Sequence, residues 1–226
     1  MKPRAVLFDV DFTLARPGPE LGPEGYVRAG ERHGLTLVAS RYEAARDAAF
    51  VDLKRHPEFE HDEEIWYAFT ERIVLGMGGT RPGAYACAVE ITRGWEQHEN
   101  FELYEDTIPV LDELRRAGLR IGLVSNSARD VHAFARHHAL AIDAGISSFH
   151  HGRTKPHASI FRAVLDLIEV EPADAVMVGD TIADDVEGAR ALGMRAILLD
   201  RAGRHSGFEP RLEDLYGLPA ALGLPH

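Results

Sequence analysis

The sequence predicts an α/β fold built around a parallel β-sheet. Four short apolar runs bounded by polar residues are typical of strands buried on both faces of a sheet: residues 5–8, 121–124, 175–178 and 196–199. Between these runs, apolar residues recur at helical spacing, for example Ile160, Val164 and Ile168. Strands that alternate with helices form parallel sheets joined by right-handed crossovers, and the alternation therefore predicts the fold class.

Weaker signals complete this pattern. A further strand is predicted near residues 142–146, where the apolar run is less continuous. Gly118 follows a helical pattern at residues 110–114, and Gly193 follows another at residues 186–192. Glycine is common just past the end of a helix because it adopts a left-handed backbone without steric cost, so both positions predict helix ends.

A helical insertion interrupts the alternation after the first strand. It opens with a segment rich in proline and glycine, residues 17–23, which indicates a loop. Four helices are predicted after it: residues 24–33, one from a capping-box pattern at Ser40, one from Asp62 and one from Pro82. The predicted domains are an α/β core of residues 1–14 and 101–226, and a helical domain of residues 15–100.

Composition and charge exclude several classes of protein. With 226 residues, 45% of them hydrophobic, the chain can bury a substantial core. A formal charge of -11 disfavours binding to nucleic acid or to an anionic membrane surface. The single cysteine, Cys87, has no internal partner for a disulfide, and no apolar run reaches transmembrane length. We therefore expect a cytoplasmic protein without nucleic-acid or membrane partners.

Two aspartates directly follow the first predicted strand. Asp9 and Asp11 are two residues apart, so in an extended segment their carboxylates point the same way, toward the crevice at the carboxyl ends of the strands. Two adjacent carboxylates repel each other, which indicates a bound cation or a shared proton. Taken alone, however, the pair is better interpreted as surface acids.

The next two segments also carry polar groups suited to an anion. Ser125 and Asn126 follow the second strand and could donate hydrogen bonds to phosphoryl oxygens, while Ser127 is expected to cap the following helix. Lys155 precedes Pro156, a residue suited to the start of a helix, and could meet a phosphate or carboxylate. A simple helix cap and a solvated lysine are the alternative interpretations.

A second group of acids follows the strand at residues 175–178. Asp180 comes directly after that strand, and Asp184 and Asp185 open the next helical pattern. Such oxygen donors suit Mg²⁺. Either of the later acids could instead complement the helix dipole, but this explanation fits Asp180 poorly because that residue lies at the strand end itself.

In combination and in this order, these segments resemble the four signature motifs of the haloacid dehalogenase (HAD) superfamily. The resemblance extends from Ala5 to Gly193 and covers nearly the whole α/β portion. It implies a Rossmann-like parallel-sheet core, and the insertion resembles the family's helical, C1-type cap domain. The implied activity is hydrolysis of a small phosphorylated metabolite with Mg²⁺ as the cofactor.

The resemblance also implies roles for individual residues. Asp9 would be the nucleophile that becomes an aspartyl-phosphate, and Asp11 the general acid and base. The metal would be held by Asp9, Asp180 and the backbone carbonyl of Asp11, with Asp185 (or Asp184) as an outer or secondary ligand. Alignment on residues 188–189 favours Asp185.

The remaining implied roles concern the phosphoryl group. Thr13, Ser125 and Asn126 would orient it, and Lys155 would neutralise its charge together with that of Asp9. Phe12 departs from the family, which often has glycine at this position.

The presence of Asp11 narrows the reaction, because the dehalogenase branch of the family lacks this acid. A sugar-phosphate mutase of the helical-cap type, an isomerase, shares all four motifs and is the first alternative. A catalytically silent binding module is the second, although Asp9, Asp11, Lys155 and Asp180 are all present. The sequence leaves the substrate and the oligomeric state open.

Overall fold

The computed structural model describes residues 2–51, 53 and 55–224. The chain divides into two compact units: the α/β unit, Met1–Arg16 with Leu103–His226, and the helical unit, Pro17–Glu102. Both junctions lie two residues beyond those expected from the sequence, after residues 16 and 102 where 14 and 100 were predicted. None of the helices in the described residues has the length and apolar character needed to cross a membrane.

The described residues of the helical unit form four α-helices: α1 (Pro23–Arg32), α2 (Tyr42–Val51), α3 (Glu63–Gly76) and α4 (Arg81–Gly94). Asp62 caps α3 by accepting a hydrogen bond from the backbone N–H of Glu64. The capping box predicted at Ser40 is wrong, because this serine lies inside a 3₁₀ turn, Ala39–Arg41, ahead of α2. Buried apolar side chains from all four helices pack into one core, which includes Cys87.

The part of the chain that the structure describes also contains eight strands: β1 (Ala5–Phe8), β2 (Ala15–Pro17), β3 (Phe101–Leu103), β4 (Arg120–Ser125), β5 (Ala144–Ser147), β6 (Ala175–Gly179), β7 (Arg195–Leu199) and β8 (Arg211–Leu212). Strands β2 and β3 pair as a two-stranded sheet that contains both junctions of the chain. The other six form one parallel sheet in the order β5-β4-β1-β6-β7-β8. The predicted α/β fold class is confirmed.

The helices of the α/β unit are α5 (Thr107–Arg116), α6 (Val131–His137), α7 (Ser148–His151), α8 (Ala158–Leu167), α9 (Gly188–Ala191) and α10 (Leu218–Ala221). Gly118 and Gly193 have φ angles of +82° and +86°, in agreement with their predicted places past helix ends. The helix expected around residue 186 begins instead as a π-helix, Ile182–Glu187. The helix start predicted at Pro156 is also wrong, because α8 is capped by His157, which accepts from the N–H of Ser159.

The strand order determines where a ligand can bind. Strand β1 lies in the middle of the sheet, with β4 on one side and β6 on the other, so Phe8 is in register with Leu123 and Val178. The carboxyl ends of these three strands therefore meet where the winding of the sheet reverses. Ligands of open α/β sheets bind in the crevice at such a switch point.

Candidate active site

Asp9 leaves β1 at this switch point and enters a tight turn. Its backbone N–H donates to the carbonyl of Val178 at 3.0 Å, and the N–H of Phe12 donates to the carbonyl of Ala15 at 2.6 Å. Phe12 has a φ angle of +62°, in the left-handed region where glycine carries no steric penalty. This left-handed conformation explains why the motif that residues 9–13 resemble often has glycine at this position. Phe12 adopts the same conformation, and its side chain is partly exposed.

Lys155 lies at the centre of the site. Its buried ammonium group donates to a carboxylate oxygen of Asp9 at 2.5 Å and to one of Asp185 at 2.7 Å. The second oxygen of Asp185 accepts from the N–H and the hydroxyl of Thr181, at 2.9 and 2.6 Å. Asp185 is fully buried and paired on both oxygens, whereas Asp184 is half-buried. The structure thus brings Asp185 into the cluster.

Gly179, the last residue of β6, makes room for this arrangement. A Cβ atom built on Gly179 would lie 2.3 Å from Cγ of Asp185, which is far inside van der Waals contact. A Cβ on Gly188 would lie 2.8 Å from Cβ of Pro156, the residue that follows Lys155. Gly179 therefore allows the Asp185 carboxylate to lie against the end of β6, and Gly188 allows the segment that carries Asp185 to approach the one that carries Lys155.

Asn126 acts on the backbone of Lys155. Its amide oxygen accepts from the N–H of Lys155 at 2.7 Å, and its amide nitrogen donates to the Lys155 carbonyl at 3.1 Å. The structure therefore gives this side chain a positioning contact, where the sequence predicted a contact with the transferring group. Ser125 is buried at the end of β4 and donates to the hydroxyl of Ser127 at 2.9 Å. The helix cap predicted at Ser127 is wrong, since Asp130 caps α6.

Asp11 pairs with an arginine that the sequence did not single out. Arg129, in the loop between β4 and α6, donates to both carboxylate oxygens of Asp11 at 2.9 and 3.2 Å. The guanidinium is buried and lies 5.1 Å from the ring centroid of Phe134. Nothing local in the sequence distinguishes Arg129 from other loop arginines, because its partner is 118 residues away along the chain.

A second network of hydrogen bonds holds the backbone of Thr13. Arg201 donates to the carbonyl of Thr13 at 2.9 Å, forms a bidentate ion pair with Asp106 and lies 3.8 Å from the ring centroid of Tyr104. The hydroxyl of Thr13 is buried and has no hydrogen-bond partner among the described residues. A buried hydroxyl without a partner costs roughly 1–3 kcal/mol, so this atom is suited to a ligand oxygen.

Three carboxylates form a group that can hold a cation. Oxygen atoms of Asp9, Asp180 and Asp185 lie within 4.8 Å of one another. The pKa of Asp9 is raised to about 7, mainly by burial and further by the charges of Asp185 and Asp11. The nearby Lys155 has the opposite effect on this pKa. Burial and the nearby Asp9 and Asp185 raise the pKa of Asp180 to about 8. These shifts show that the site disfavours its own negative charge.

The electrostatics of the lysine agree with this picture. Burial opposes the charged form of Lys155, but the carboxylates of Asp185 and Asp9 raise its pKa well above the ordinary value. The site as described contains six charged side chains: Asp9, Asp11, Asp180, Asp185, Lys155 and Arg129. When all are ionised, four carboxylates face two cations. One divalent cation carries the charge that balances the excess, and the oxygen donors suit such an ion.

Comparison with known proteins identifies the family. The family model for haloacid dehalogenase-like hydrolases matches residues 3–193, and the chain therefore belongs to this family. It is 27% identical over 226 residues to the phosphoserine phosphatase of Thermus thermophilus, with 88% of this chain and 89% of that protein covered. It is 28% identical over 222 residues to the glyceraldehyde 3-phosphate phosphatase of Methanopyrus kandleri, with 93% and 89% covered.

The fold is likewise known from solved structures. The HAD-hydrolase YfnB from Bacillus subtilis, bound to magnesium, aligns with a TM-score of 0.77 at 16% sequence identity, covering 99% of this chain and all of that one (100%). Together, these comparisons confirm the predicted superfamily, the Rossmann-like α/β fold and an enzyme of the phosphatase type. The roles of the individual site residues stay predictions.

Proposed function

We propose that the protein is a Mg²⁺-dependent phosphatase that hydrolyses a small phosphomonoester through an aspartyl-phosphate on Asp9. The observation that carries this proposal is the cluster of Asp9, Asp180 and Asp185 at the switch point of the sheet, with the buried Lys155 bonded to Asp9 and Asp185. Relatives that act as phosphatases support hydrolysis over the isomerase alternative.

In the first step, a carboxylate oxygen of Asp9 attacks phosphorus while the bond from phosphorus to the leaving oxygen breaks. Asp11 gives a proton to that oxygen, so that the leaving group departs as a neutral alcohol. Lys155 already contacts Asp9 and screens its charge from the incoming anion. The result is a phosphorylated Asp9 and an ionised Asp11.

In the second step, a water molecule attacks the phosphorus of the aspartyl-phosphate. Asp11 accepts the proton of that water, and the bond between phosphorus and Asp9 breaks. Inorganic phosphate is released and both aspartates return to their starting states. A carboxylate nucleophile of this kind divides one difficult hydrolysis into two easier reactions.

Hydroxyl groups and the lysine bind the phosphoryl group in this scheme. The buried, unpartnered hydroxyl of Thr13 supports its assignment as one donor, and Ser125 at the end of β4 is the second. Lys155 supplies positive charge. Asn126 contributes by holding the backbone of Lys155 in place.

The metal would be held by Asp9, Asp180 and the backbone carbonyl of Asp11, with Asp185 as the outer or secondary acid. A divalent cation there supplies electrostatic stabilisation of the charge on the transferring phosphoryl group. The two excess negative charges suit a divalent cation, and the oxygen-only donor set favours Mg²⁺ over softer metals.

We infer that the helical unit is the family's helical cap, from its insertion after the first motif and its four helices. A small phosphorylated metabolite as substrate and a cytoplasmic location belong to the same proposal. Both rest on the phosphatase relatives and on the acidic composition of the chain.

A phosphate-release screen tests the proposed function. Purified protein with Mg²⁺ is incubated with a panel of phosphorylated metabolites and aryl phosphates, and Asp9→Asn serves as the blank. We expect phosphate release that the substitution lowers by roughly 10⁴-fold or more, because it removes the nucleophile. Absence of release across the whole panel contradicts the proposal, and isomer formation without net phosphate release assigns the protein to the mutases.

A further inference from the structure

We propose that Arg129 is a positioning residue for the leaving-group step, acting through the carboxylate of Asp11. The inference rests on the proposed function, in which Asp11 transfers protons to and from the reacting oxygens. None of the four motifs contains Arg129, and the residue comes from the loop after β4. Its contacts with Asp11 were visible only in the folded chain.

The geometry makes Arg129 a fixed support. Its side chain is 1% exposed and forms two parallel hydrogen bonds to Asp11, whose side chain is 21% exposed. The guanidinium packs near the ring of Phe134 in α6, and Asp130 next to it caps the same helix. A planar guanidinium in a bidentate pair restrains a carboxylate in both direction and rotation. Arg129 therefore restrains Asp11 from a position that packing itself holds in place.

The chemistry of the pair determines how it must behave during turnover. A guanidinium offers five N–H donors and no acceptor, so both carboxylate oxygens of Asp11 accept in the observed arrangement. To give a proton to the leaving oxygen, one oxygen of Asp11 has to turn away from Arg129. The hydrogen bond from Arg129 to the other oxygen can then keep the carboxyl group of Asp11 close to the crevice while the first hydrogen bond is broken.

The test compares two esters of nearly the same shape, 4-nitrophenyl phosphate and phenyl phosphate. Phenolate is the more basic leaving group and depends more on protonation. For Arg129→Met, we expect kcat/KM to fall about tenfold more with phenyl phosphate than with 4-nitrophenyl phosphate, and Asp11→Asn to shift the ratio in the same direction. In the Asp11→Asn background, Arg129→Met should leave the ratio of the two esters unchanged, because the two residues act as one unit.

Arg129→Lys is the second variant, since lysine keeps the charge but cannot form the bidentate contact. It should shift the ester ratio by a smaller factor, and it supplies the result if thermal melting shows that Arg129→Met does not fold. Arg211→Met is the matched control, because it removes another partly buried Arg–Asp pair, with Asp200. We expect this control to leave the ester ratio unchanged.

The outcomes separate the inference from the proposed function. An equal fall for both esters in the Arg129 variants, or an additional shift of the ratio in the double variant, overturns the positioning role. Absence of phosphate release by the wild-type protein with Mg²⁺ across the whole panel of metabolites and aryl phosphates contradicts the proposed function and the inference with it.

Discussion

In the helical unit, the described core consists of apolar side chains and tyrosines, and Thr70 is its one buried residue with a purely polar side chain. The α/β unit instead buries six charged side chains among its described residues: Asp9, Asp106, Arg129, Lys155, Asp185 and Asp200. Four of these six belong to the candidate site. Burial of an ion costs several kcal/mol unless it is paired, so each of the buried charges has a partner within reach.

This difference indicates that the two units have different roles. The helical unit derives its stability from packing, and a change in its core should alter stability before it alters chemistry. The α/β unit accepts the cost of buried charge at the switch point of its sheet, and a change there should alter chemistry first. Each of the following experiments tests one side of this comparison.

Among these experiments, the largest effect is expected at Asp185, because it is the fully buried partner of Lys155. Asp185→Asn weakens the contacts with Lys155 and Thr181, and we expect kcat/KM to fall by roughly 10³-fold, equivalent to about 4 kcal/mol. Asp184→Asn is the matched control, since this neighbour is half-buried and lies outside the cluster, and it should stay within about threefold of wild type. Steady-state kinetics on the best substrate of the screen measure both. Equal losses in the two variants contradict the assignment of Asp185.

The next effect concerns the packed core of the helical unit. Ile73 in α3 is 1% exposed, and Ile73→Ala should lower the free energy of unfolding by about 2–5 kcal/mol through lost burial and a residual cavity. Val51→Ala in the same unit is the control, because Val51 is 86% exposed, and it should change stability by less than about 0.5 kcal/mol. Urea denaturation measures both values.

The same Ile73→Ala protein should keep the wild-type ratio of kcat/KM between 4-nitrophenyl phosphate and phenyl phosphate. A changed ratio would mean that packing in the helical unit reaches the chemical step. That result would contradict the proposed difference in role between the two units.

The smallest effect is a dependence of stability on pH and metal. The pKa values of Asp9 and Asp180 are raised to about 7 and about 8, so these two groups hold more protons in the folded protein than in the unfolded chain from about pH 4 to pH 8. Without metal, they therefore contribute stability at low pH that is lost progressively as the pH rises from about 4 through the folded pKa values of about 7 and about 8. Mg²⁺ should raise the melting temperature more at pH 8 than at pH 5.5, because it competes with those protons.

Asp180→Asn isolates part of this contribution, because it removes one of the two carboxyl groups with a raised pKa. Its melting temperature in EDTA should fall less between pH 5.5 and pH 8 than that of the wild type. Equal stabilisation of the wild type by Mg²⁺ at both pH values contradicts the predicted coupling of metal and protons.

Much of the fold could be predicted from the sequence, because strands buried on both faces are continuous apolar runs. Strand β1 was located in full, and the weak signal at residues 142–146 corresponds to the edge strand β5. Strands β2, β3 and β8 were not predicted, since two or three residues are too few for a periodic pattern. The positions of Asp9 and Asp180 followed from the strands, because each acid comes directly after a strand end.

The partners within the site could not be predicted in the same way. The contact of Arg129 with Asp11 and that of Asn126 with Lys155 join loops that are distant in sequence and that only the sheet brings together. The errors at Ser127 and Pro156 have a local cause. Each is a residue typical of helix starts, but Asp130 and His157, slightly further along, form the actual caps.

Gly179 has a consequence for anyone who wishes to redesign this enzyme. Any side chain at this position would enter the space of the Asp185 carboxylate, which lies against the same strand end. Substitutions at residue 179 would then displace Asp185, one of the two carboxylates that pair with Lys155. A library directed at new substrates should therefore keep residue 179 constant and place its diversity elsewhere.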